Sequence, residues 1–282
     1  MCDNVLVIGG SRNIGYYSAI RLLEAGSAVT FLLRSPLVFD NDEVIQKHVK
    51  SQKARLVKGD ALTPEDVKLA WNEASRDKPV NVLLFTVGFT GKPSFHPIKG
   101  FTMDPPNLVT RSLLNVLCQM PQTSAYPKII VLSTSGVSRT SRESVPFLLK
   151  PLYGYLIAQA LKDKLGVERV IAHCAGWKWN TKDGEPKADI MGEGWKNREG
   201  LPPPGTLTSA VVLRPALLND GECLADKVVS ASTGHTAKAP YRVGEGEVGG
   251  WNVSRKDVAH FVVDAVTNHW SEYENKQISI AY

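Results

Sequence analysis

The chain has 282 residues, of which 43% are hydrophobic and 22% charged, and its formal net charge is +5. This length accommodates one large α/β domain with a substantial core, and the composition excludes a disordered or fibrous protein. The lysines and arginines are scattered and form no long basic run, so nucleic-acid binding is not indicated.

Short apolar strands alternate with amphipathic helices in the first half of the chain. The pattern predicts a strand at residues 4–8 and a helix at residues 13–25 that ends at Gly26. Four more strands are predicted in this half, at residues 28–33, 55–58, 80–87 and 128–133.

Helices are predicted between and after these strands. Thr63 and Pro64 are typical of the cap and first turn of a helix, which we expect to extend to residue 74. A second helix follows residues 104–106 and carries apolar residues up to Leu117, and a longer one is predicted at residues 150–174.

The second half contains fewer regular elements. A sixth strand is predicted at residues 210–214 and a short final strand at residues 277–281. Between them, a helix is predicted to begin near Ser254 with a capping-box-like sequence. Residues 175–208 show no periodicity and are too many for an ordinary connection. Two interpretations stay open: a substrate lid over the open end of the sheet, or a surface excursion with no ligand role.

This alternation predicts an α/β protein with a doubly wound parallel sheet, the Rossmann fold, because parallel neighbouring strands need crossover helices. We assign residues 1–174 to a dinucleotide-binding domain. Residues 175–282 are expected to complete the sheet and to form a small C-terminal substrate-binding lobe and lid, as one structural unit.

A glycine-rich turn joins the first predicted strand to the first predicted helix. Gly9 would allow a tight turn, Gly10 a close approach, and Gly15 the packing of the helix against the strand. Free amides at the start of the helix, together with the helix dipole, favour a diphosphate there. The cofactor-binding residues predicted in this turn are Gly9, Gly10, Ser11, Arg12, Asn13, Ile14 and Gly15.

Arg34, at the end of the second strand, indicates which dinucleotide is bound. NAD enzymes usually have a carboxylate there, whereas arginine can pair with a 2′-phosphate. Arg12 indicates the same phosphate, although either arginine could be an ordinary surface residue. We therefore predict NADP, with NAD possible. Asp60 is placed either to contact the adenine or as a simple turn residue. Other residues at strand ends complete the predicted cofactor site: Val87, Gly88 and Ser133.

Other kinds of site lack support in the sequence. The four cysteines lie far apart and the six histidines show no ligand spacing, so neither a metal site nor a disulfide framework is predicted. No secretory leader precedes the first strand, and no run of about 18 apolar residues occurs. We therefore expect a cytoplasmic protein with reduced cysteines, a small-molecule substrate and no membrane partner.

Several motifs resemble those of atypical short-chain dehydrogenases/reductases, in particular the NmrA-like branch. Gly-Gly-Ser-Arg-Asn-Ile-Gly at residues 9–15 is similar to their glycine motif, but has Asn13 where a second glycine usually stands. The resemblance spans nearly the whole chain. Its later segments are residues 132–135, residues 162–164 with Glu168, residues 213–216 and 220–221, and residues 254–259.

The resemblance also implies catalytic residues. Typical members use a Tyr-x-x-x-Lys pair, in which the tyrosine protonates the substrate oxygen and the lysine lowers the tyrosine pKa and holds the ribose. Here Tyr155 has Gln159 four residues later. A resemblance to isoflavone-reductase-type enzymes implies that Lys164 takes the ribose-binding or proton-transfer role. Ser135 is the candidate for binding a substrate carbonyl and Tyr155 a further candidate, with strand capping and helix packing as the respective alternatives.

Two functions are compatible with these residues. One is an NADP(H)-dependent oxidoreductase that acts on a small carbonyl, enone or alcohol, and the other is a non-catalytic, redox-sensing NAD(P)-binding regulator that acts through a protein partner. Four tryptophans could wall an apolar or aromatic substrate pocket, or could only pack within a lid: Trp177, Trp179, Trp195 and Trp251.

Overall fold

The computed structural model describes residues 3–88, 94–97, 100–122, 125–143, 152–231 and 240–282. Its strands are β1 (Asn4–Ile8), β2 (Ala28–Leu33), β3 (Ala54–Lys58), β4 (Val82–Phe85), β5 (Ser94–His96), β6 (Gly100–Thr102), β7 (Lys128–Leu132), β8 (Ala210–Pro215), β9 (Leu217–Asn219), β10 (Arg242–Glu245), β11 (Asn252–Ser254) and β12 (Lys276–Ala281).

The α-helices of the described residues are α1 (Asn13–Glu24), α2 (Glu43–Lys50), α3 (Pro64–Ala74), α4 (Leu108–Cys118), α5 (Arg139–Glu143), α6 (Ala158–Cys174), α7 (Ala188–Met191), α8 (Leu224–Ala231), α9 (Arg255–Thr267) and α10 (Trp270–Tyr273). A π-helical turn, Leu152–Leu156, precedes α6. The first two residues of the helix predicted at 150–174 lie outside the described residues, as do the preceding residues 144–149.

Eight strands form the central sheet in the order β10-β12-β8-β7-β4-β1-β2-β3. All neighbouring pairs are parallel except β10 and β12, which are antiparallel. The crossover connections place helices on both faces, as parallel strands require. The predicted doubly wound parallel sheet is therefore confirmed.

Apolar clusters fill both spaces between the sheet and its helices. One cluster joins the sheet to α1, α2, α8 and α9, and the other joins it to α3, α4 and α6. All five residues of β1 are buried because the strand lies inside the sheet and is covered on both faces. This explains why its sequence is a continuous apolar run rather than an alternating one.

Several elements were absent from the sequence-based prediction. They are α2, the edge strand β10, the β5–β6 hairpin and the small parallel sheet of β9 and β11. Each is short, and α2 buries only Ile45. Short elements with little burial leave a weak hydrophobic period, which is the signal the prediction used.

Residues 175–208 pack on the outer side of α4 and α6. Asp183 accepts hydrogen bonds from Thr140, and the Asn107 side chain donates to the Ile190 carbonyl. The segment then returns along α4, where Arg198 donates to Asn115. Its short helical turns thus cover two helices instead of forming an irregular loop.

No helix among the described residues is both long and apolar enough to span a membrane.

Candidate functional site

A cleft of about 490 Å³ lies at the carboxyl edge of the sheet. Residues 8–15 line it together with the ends of β2, β3, β4 and β7. Ligands of open α/β sheets bind at this edge, and the volume is typical of small-molecule and cofactor sites. We therefore take this cleft as the candidate functional site.

Gly9 and Gly10 have no space for a side chain. Gly9 adopts φ of 93°, and a Cβ atom there would lie 2.6 Å from the Val87 backbone nitrogen. A Cβ atom on Gly10 would lie 2.7 Å from the Val7 Cγ1 atom and 2.8 Å from Phe31. The two glycines allow the turn to lie directly on the strand ends, so its outer surface faces the cleft.

Gly15 and Thr86 fix the start of α1 against the end of β4. The Thr86 hydroxyl donates to the Gly9 carbonyl at 3.1 Å and occupies the space that a Cβ on Gly15 would need. Thr86 also lines the cleft. Thr86 was not predicted as a site residue, because no local sequence pattern indicates its contact with Gly15, 71 positions away.

The N-terminus of α1 lacks a protein cap of the kind that α4 and α9 have. Arg12 occupies the N-cap position without a side-chain cap hydrogen bond, and the first turn contains no acidic residue. In contrast, Asp163 accepts from the Val109 and Thr110 amides of α4, and Ser254 accepts from the Asp257 amide of α9. The first amides of α1 are thus the donors that face the cleft, and a helix N-terminus with free amides favours an anion.

Two exposed arginines stand at this end of the cleft. Arg12 lies within the glycine turn, and Arg34 follows β2 directly; both line the cleft. Within the described residues, no carboxylate lies at ion-pair distance from either guanidinium group. Both groups are therefore available to a ligand that carries negative charge.

Asp60 lines the same cleft but is partly used within its own loop. Its carboxylate accepts from the Leu62 amide at 2.9 Å, and its amide donates to the Asp66 carboxylate at 2.8 Å. This is the hydrogen bonding of a turn residue. The other oxygen of the Asp60 carboxylate takes part in neither of these hydrogen bonds.

Lys164 is absent from the cleft lining, but its ammonium group binds two residues that line the cleft. Its Nζ donates to the carbonyl oxygens of Val87, at 2.8 Å, and of Leu132, and both of these residues line the cleft. Burial lowers the pKa of Lys164 to about 8. The ammonium group has three protons, so one remains beyond the two carbonyl bonds.

Ser133 belongs to a buried charged cluster with Glu168 and Arg214. The Ser133 hydroxyl donates to Glu168 at 2.6 Å, and Arg214 donates to the same carboxylate through two nitrogens. Burial alone would lower the pKa of Arg214, but the adjacent Glu168 carboxylate raises it. Gly88 lines the cleft, whereas Ser133 is absent from its lining.

Ser135 and Tyr155 are absent from the cleft lining. The Ser135 hydroxyl donates to the Arg214 carbonyl at 3.3 Å, and the Tyr155 hydroxyl donates to the Pro97 carbonyl beside the β5–β6 hairpin. Gln159 forms two hydrogen bonds with the backbone of Met103. The Tyr-x-x-x-Gln sequence thus holds the segment between β4 and α4.

The four tryptophans also lie outside the cleft lining. Trp195 is buried against His173, Trp177 donates to Asn275, and Trp179 donates to the Gly184 carbonyl. Trp251 is exposed. Part of the apolar lining comes from aliphatic residues that were not predicted as site residues: Val38, Leu62, Leu108, Leu132 and Leu218.

Metal and thiol chemistry find no support in the described part of the chain. It contains no group of three or more potential metal ligands among histidine, cysteine, aspartate and glutamate. Cys118, Cys174 and Cys223 are free, and burial raises the pKa of the last two thiols to about 12. These two are therefore poor nucleophiles. Cys2 lies outside the described residues.

No protein-family model matches the chain, and no curated protein matches it in sequence.

Solved structures resemble the chain over nearly its whole length. An anaerobillin reductase from Escherichia coli O157:H7 is 16% identical, with 98% of this chain and 96% of that chain covered at a TM-score of 0.57. A short chain dehydrogenase from Burkholderia cenocepacia, solved in complex with NADP, is 14% identical over 99% and 96% of the two chains, with a TM-score of 0.59. A short-chain dehydrogenase/reductase from Serratia marcescens is 16% identical over 98% and 94%, with a TM-score of 0.56. At these identities the likeness establishes the fold, and the chain has the Rossmann-type α/β architecture of these proteins.

Proposed function

We propose that the chain is an NADP(H)-dependent oxidoreductase of the atypical short-chain dehydrogenase/reductase type, acting on a small carbonyl, enone or alcohol. The observation that carries this proposal is the uncapped N-terminus of α1, which faces a cleft beside two arginines. Neither arginine has a carboxylate partner in the part of the chain that the structure describes. The reductase and the NADP-bound dehydrogenase that share the fold support the same proposal. An NmrA-like relationship within this group is the finer part of the proposal.

The residues of the cleft fit a dinucleotide. A diphosphate would be bound by the first amides of α1, where the helix dipole and the free donors both favour negative charge. Arg34, at the end of β2, would form a bidentate contact with a 2′-phosphate, and Arg12 would add a second positive charge. Because no acidic residue follows β2 directly, NADP is favoured over NAD.

The cofactor, when bound, supplies or accepts the hydride. Lys164 would hold the proton that a reduced carbonyl oxygen requires, since its pKa of about 8 leaves it mostly protonated yet able to give up a proton near neutral pH. Ser135 would orient the substrate oxygen, and Tyr155 is the alternative proton donor. Aliphatic residues of the cleft, among them Leu132 and Leu218, would favour an apolar or aromatic substrate and exclude water.

The cofactor assignment is tested by binding. Arg34→Asp should weaken NADP binding by about tenfold or more, because a charge-assisted contact is lost and a repulsive charge is added, whereas NAD binding should change little. Isothermal titration calorimetry with both nucleotides measures the difference. Equal losses for NADP and NAD would contradict the assignment to the 2′-phosphate.

Catalysis is tested with NADPH and a panel of carbonyl and enone compounds. We expect NADPH oxidation by the wild-type chain and its loss in Lys164→Ala, while the same variant still folds. Lys162→Ala is the matched control, because Lys162 lies on the same helix but is exposed. Unchanged turnover in Lys164→Ala would remove Lys164 from the mechanism.

A second function is favoured by one observation. Gln159 occupies the position of the usual catalytic lysine, and its side-chain amide is used on both sides by the Met103 backbone. A chain without the Tyr-x-x-x-Lys pair could bind NAD(P) without turning it over and report its redox state to a protein partner. Tight nucleotide binding with no turnover of any substrate, and a partner whose affinity differs between NADP and NADPH, would favour this function.

A further inference from the structure

Arg255 is a third cation of the cleft, and it comes from a part of the chain far from the glycine turn. It is the first residue of α9, and its side chain lines the same cleft as Gly10 and Arg12. From the sequence, Arg255 is recognisable only as part of a predicted helix start. Its position in the cleft requires an explanation beyond helix capping.

The direction of α1 and α9 explains how Arg255 reaches the glycine turn. Both helices pack on the same face of the sheet and contact each other extensively. Because α1 follows β1 and α9 precedes β12, both helices run opposite to the parallel strands and begin at the carboxyl edge. Packed helices have axes about 8–10 Å apart, so a long side chain on the first turn of one reaches the N-terminus of the other.

The backbone of Arg255 is fixed by a buried network. The Ser254 hydroxyl caps α9 by accepting from the Asp257 amide, and the Asp257 carboxylate accepts from the hydroxyls of Ser254 and Tyr282 at 2.9 Å and 2.6 Å. Asp257 also accepts from the amides of Leu224 and Ala225 at the start of α8. Such a network holds a first-turn residue in one position before any ligand binds.

The guanidinium of Arg255 has a partner that a ligand can replace. It donates to Asp220 at 2.7 Å, and the Asp220 side chain is 80% exposed whereas that of Arg255 is 23% exposed. Ion pairs with such an exposed member contribute little, because water and salt screen them. A ligand with more than one negative charge can therefore compete for Arg255.

We propose that Arg255 binds the diphosphate of the nicotinamide nucleotide, from the side opposite to Arg34. This inference rests on the proposed function. In the sheet, β2 and β3 lie on one side of β1, whereas β8 and β12 lie on the other side. Arg34 follows β2, and α9 leads into β12. Arg34 and Arg255 thus approach the ligand from opposite flanks of α1, which separates the site of the 2′-phosphate from that of the diphosphate.

The test is the binding of four nucleotides to Arg255→Gln, measured by isothermal titration calorimetry on the full chain. NADP, NAD and ADP contain a diphosphate, whereas 2′-AMP does not. We expect the Kd values of the first three to rise by about tenfold and that of 2′-AMP to stay unchanged. Thermal unfolding of each variant checks that the fold is retained.

Two control variants make the result specific. Lys256 is the next residue and also pairs with an exposed carboxylate, Glu222 at 3.4 Å, but it is absent from the cleft lining. Lys256→Gln should therefore leave all four Kd values unchanged. Asp220→Asn frees Arg255 from its partner, and nucleotide binding should be equal or tighter.

Three results would overturn the inference while the proposed function stands. These are unchanged binding of NADP, NAD and ADP to Arg255→Gln, a loss restricted to NADP and 2′-AMP, or a loss of equal size in Asp220→Asn. Failure of the wild-type chain to bind any of the four nucleotides would instead overturn the proposed function, and the inference with it.

Discussion

Asn13 adopts φ of 57°, in the left-handed region that glycine tolerates best. Its side chain explains why a residue other than glycine is accepted here. Asparagine enters this region more readily than other residues, because its short amide side chain can form hydrogen bonds with the nearby backbone. The departure from the usual glycine motif at this position therefore preserves the conformation that the motif requires. The turn keeps its shape with two tight glycines, Gly9 and Gly10, and one asparagine.

Lys164 is the residue whose ionisation should be visible in stability. Its pKa is about 8 in the folded chain and 10.5 ordinarily, because burial disfavours the charged form. Between these two pH values the unfolded chain binds more protons than the folded chain, so the free energy of unfolding rises with pH.

We predict that Lys164→Met removes this rise. The difference in unfolding free energy between wild type and variant should increase by up to about 3 kcal/mol from pH 8 to pH 10.5. Urea unfolding across this range measures the difference. The exposed Lys162→Met variant should show no such trend, and a flat difference for Lys164→Met would refute the prediction.

At the scale of elements, helix α6 connects several parts of the fold through buried polar side chains. Asp163 caps α4, Lys164 binds the ends of β4 and β7, and Glu168 binds residues at the ends of β7 and β8. One helix thus sets the positions of three strand ends at the carboxyl edge. The floor of the cleft depends on this helix.

Glu168→Gln should destabilise the protein by about 3–5 kcal/mol, because it leaves the buried Arg214 without a compensating charge. Glu185→Gln is a matched control. Glu185 pairs with Arg169, which lies on α6 like Glu168, but the Glu185 side chain is 60% exposed. The control should cost less than about 1 kcal/mol. Urea unfolding of both variants gives the comparison, and similar small losses in both would contradict a structural role for the buried pair.

The elements that were predicted correctly are those whose periodicity comes from burial. The seven predicted strands and the helices α1, α3, α4 and α9 were found within a few residues of their predicted bounds. Helix α6 ends where predicted but begins at Ala158 instead of residue 150. The start of α9 differs from a full capping box in one hydrogen bond. The Ser254 amide donates to the Tyr282 hydroxyl, whereas in a capping box it would donate to the side chain of Asp257. That bond joins residues 28 positions apart, so no local pattern could have indicated it.

The same distinction applies to the candidate site. The glycine turn and Arg34 were selected because they follow strands within a short stretch of sequence. Thr86, Leu218 and Arg255 reach the cleft through sheet order and helix packing, which one sequence does not reveal. Ser135 and Tyr155 stay predictions, as do the roles assigned to all cofactor-binding residues.

At the scale of the whole molecule, three strands after residue 174, namely β8, β10 and β12, lie in the same central sheet as five strands before it. β8 pairs with β7, and β12 lies between β8 and β10. The boundary between residues 1–174 and 175–282 therefore passes through a continuous sheet and a shared core. We expect the two parts to unfold together.

Ile280→Ala tests this expectation. Ile280 is fully buried in β12, so the variant should lose about 2–5 kcal/mol. Amide hydrogen exchange should show the same loss of protection in the distant strand β1 as in β8, if unfolding is cooperative. The exposed Leu69→Ala should alter neither strand. Protection of β1 that stays at the wild-type value in Ile280→Ala would instead indicate two independent folding units.

The place of β12 has a consequence for biosynthesis. While the ribosome is making the chain, β8 has β7 on one side and nothing on the other until β12 emerges about sixty residues later. For that interval an apolar strand presents open backbone groups, which is the geometry that invites pairing with another nascent chain. Slow translation between these two strands should therefore raise the yield of aggregates, and chaperone binding to the growing polypeptide should be concentrated in the same interval.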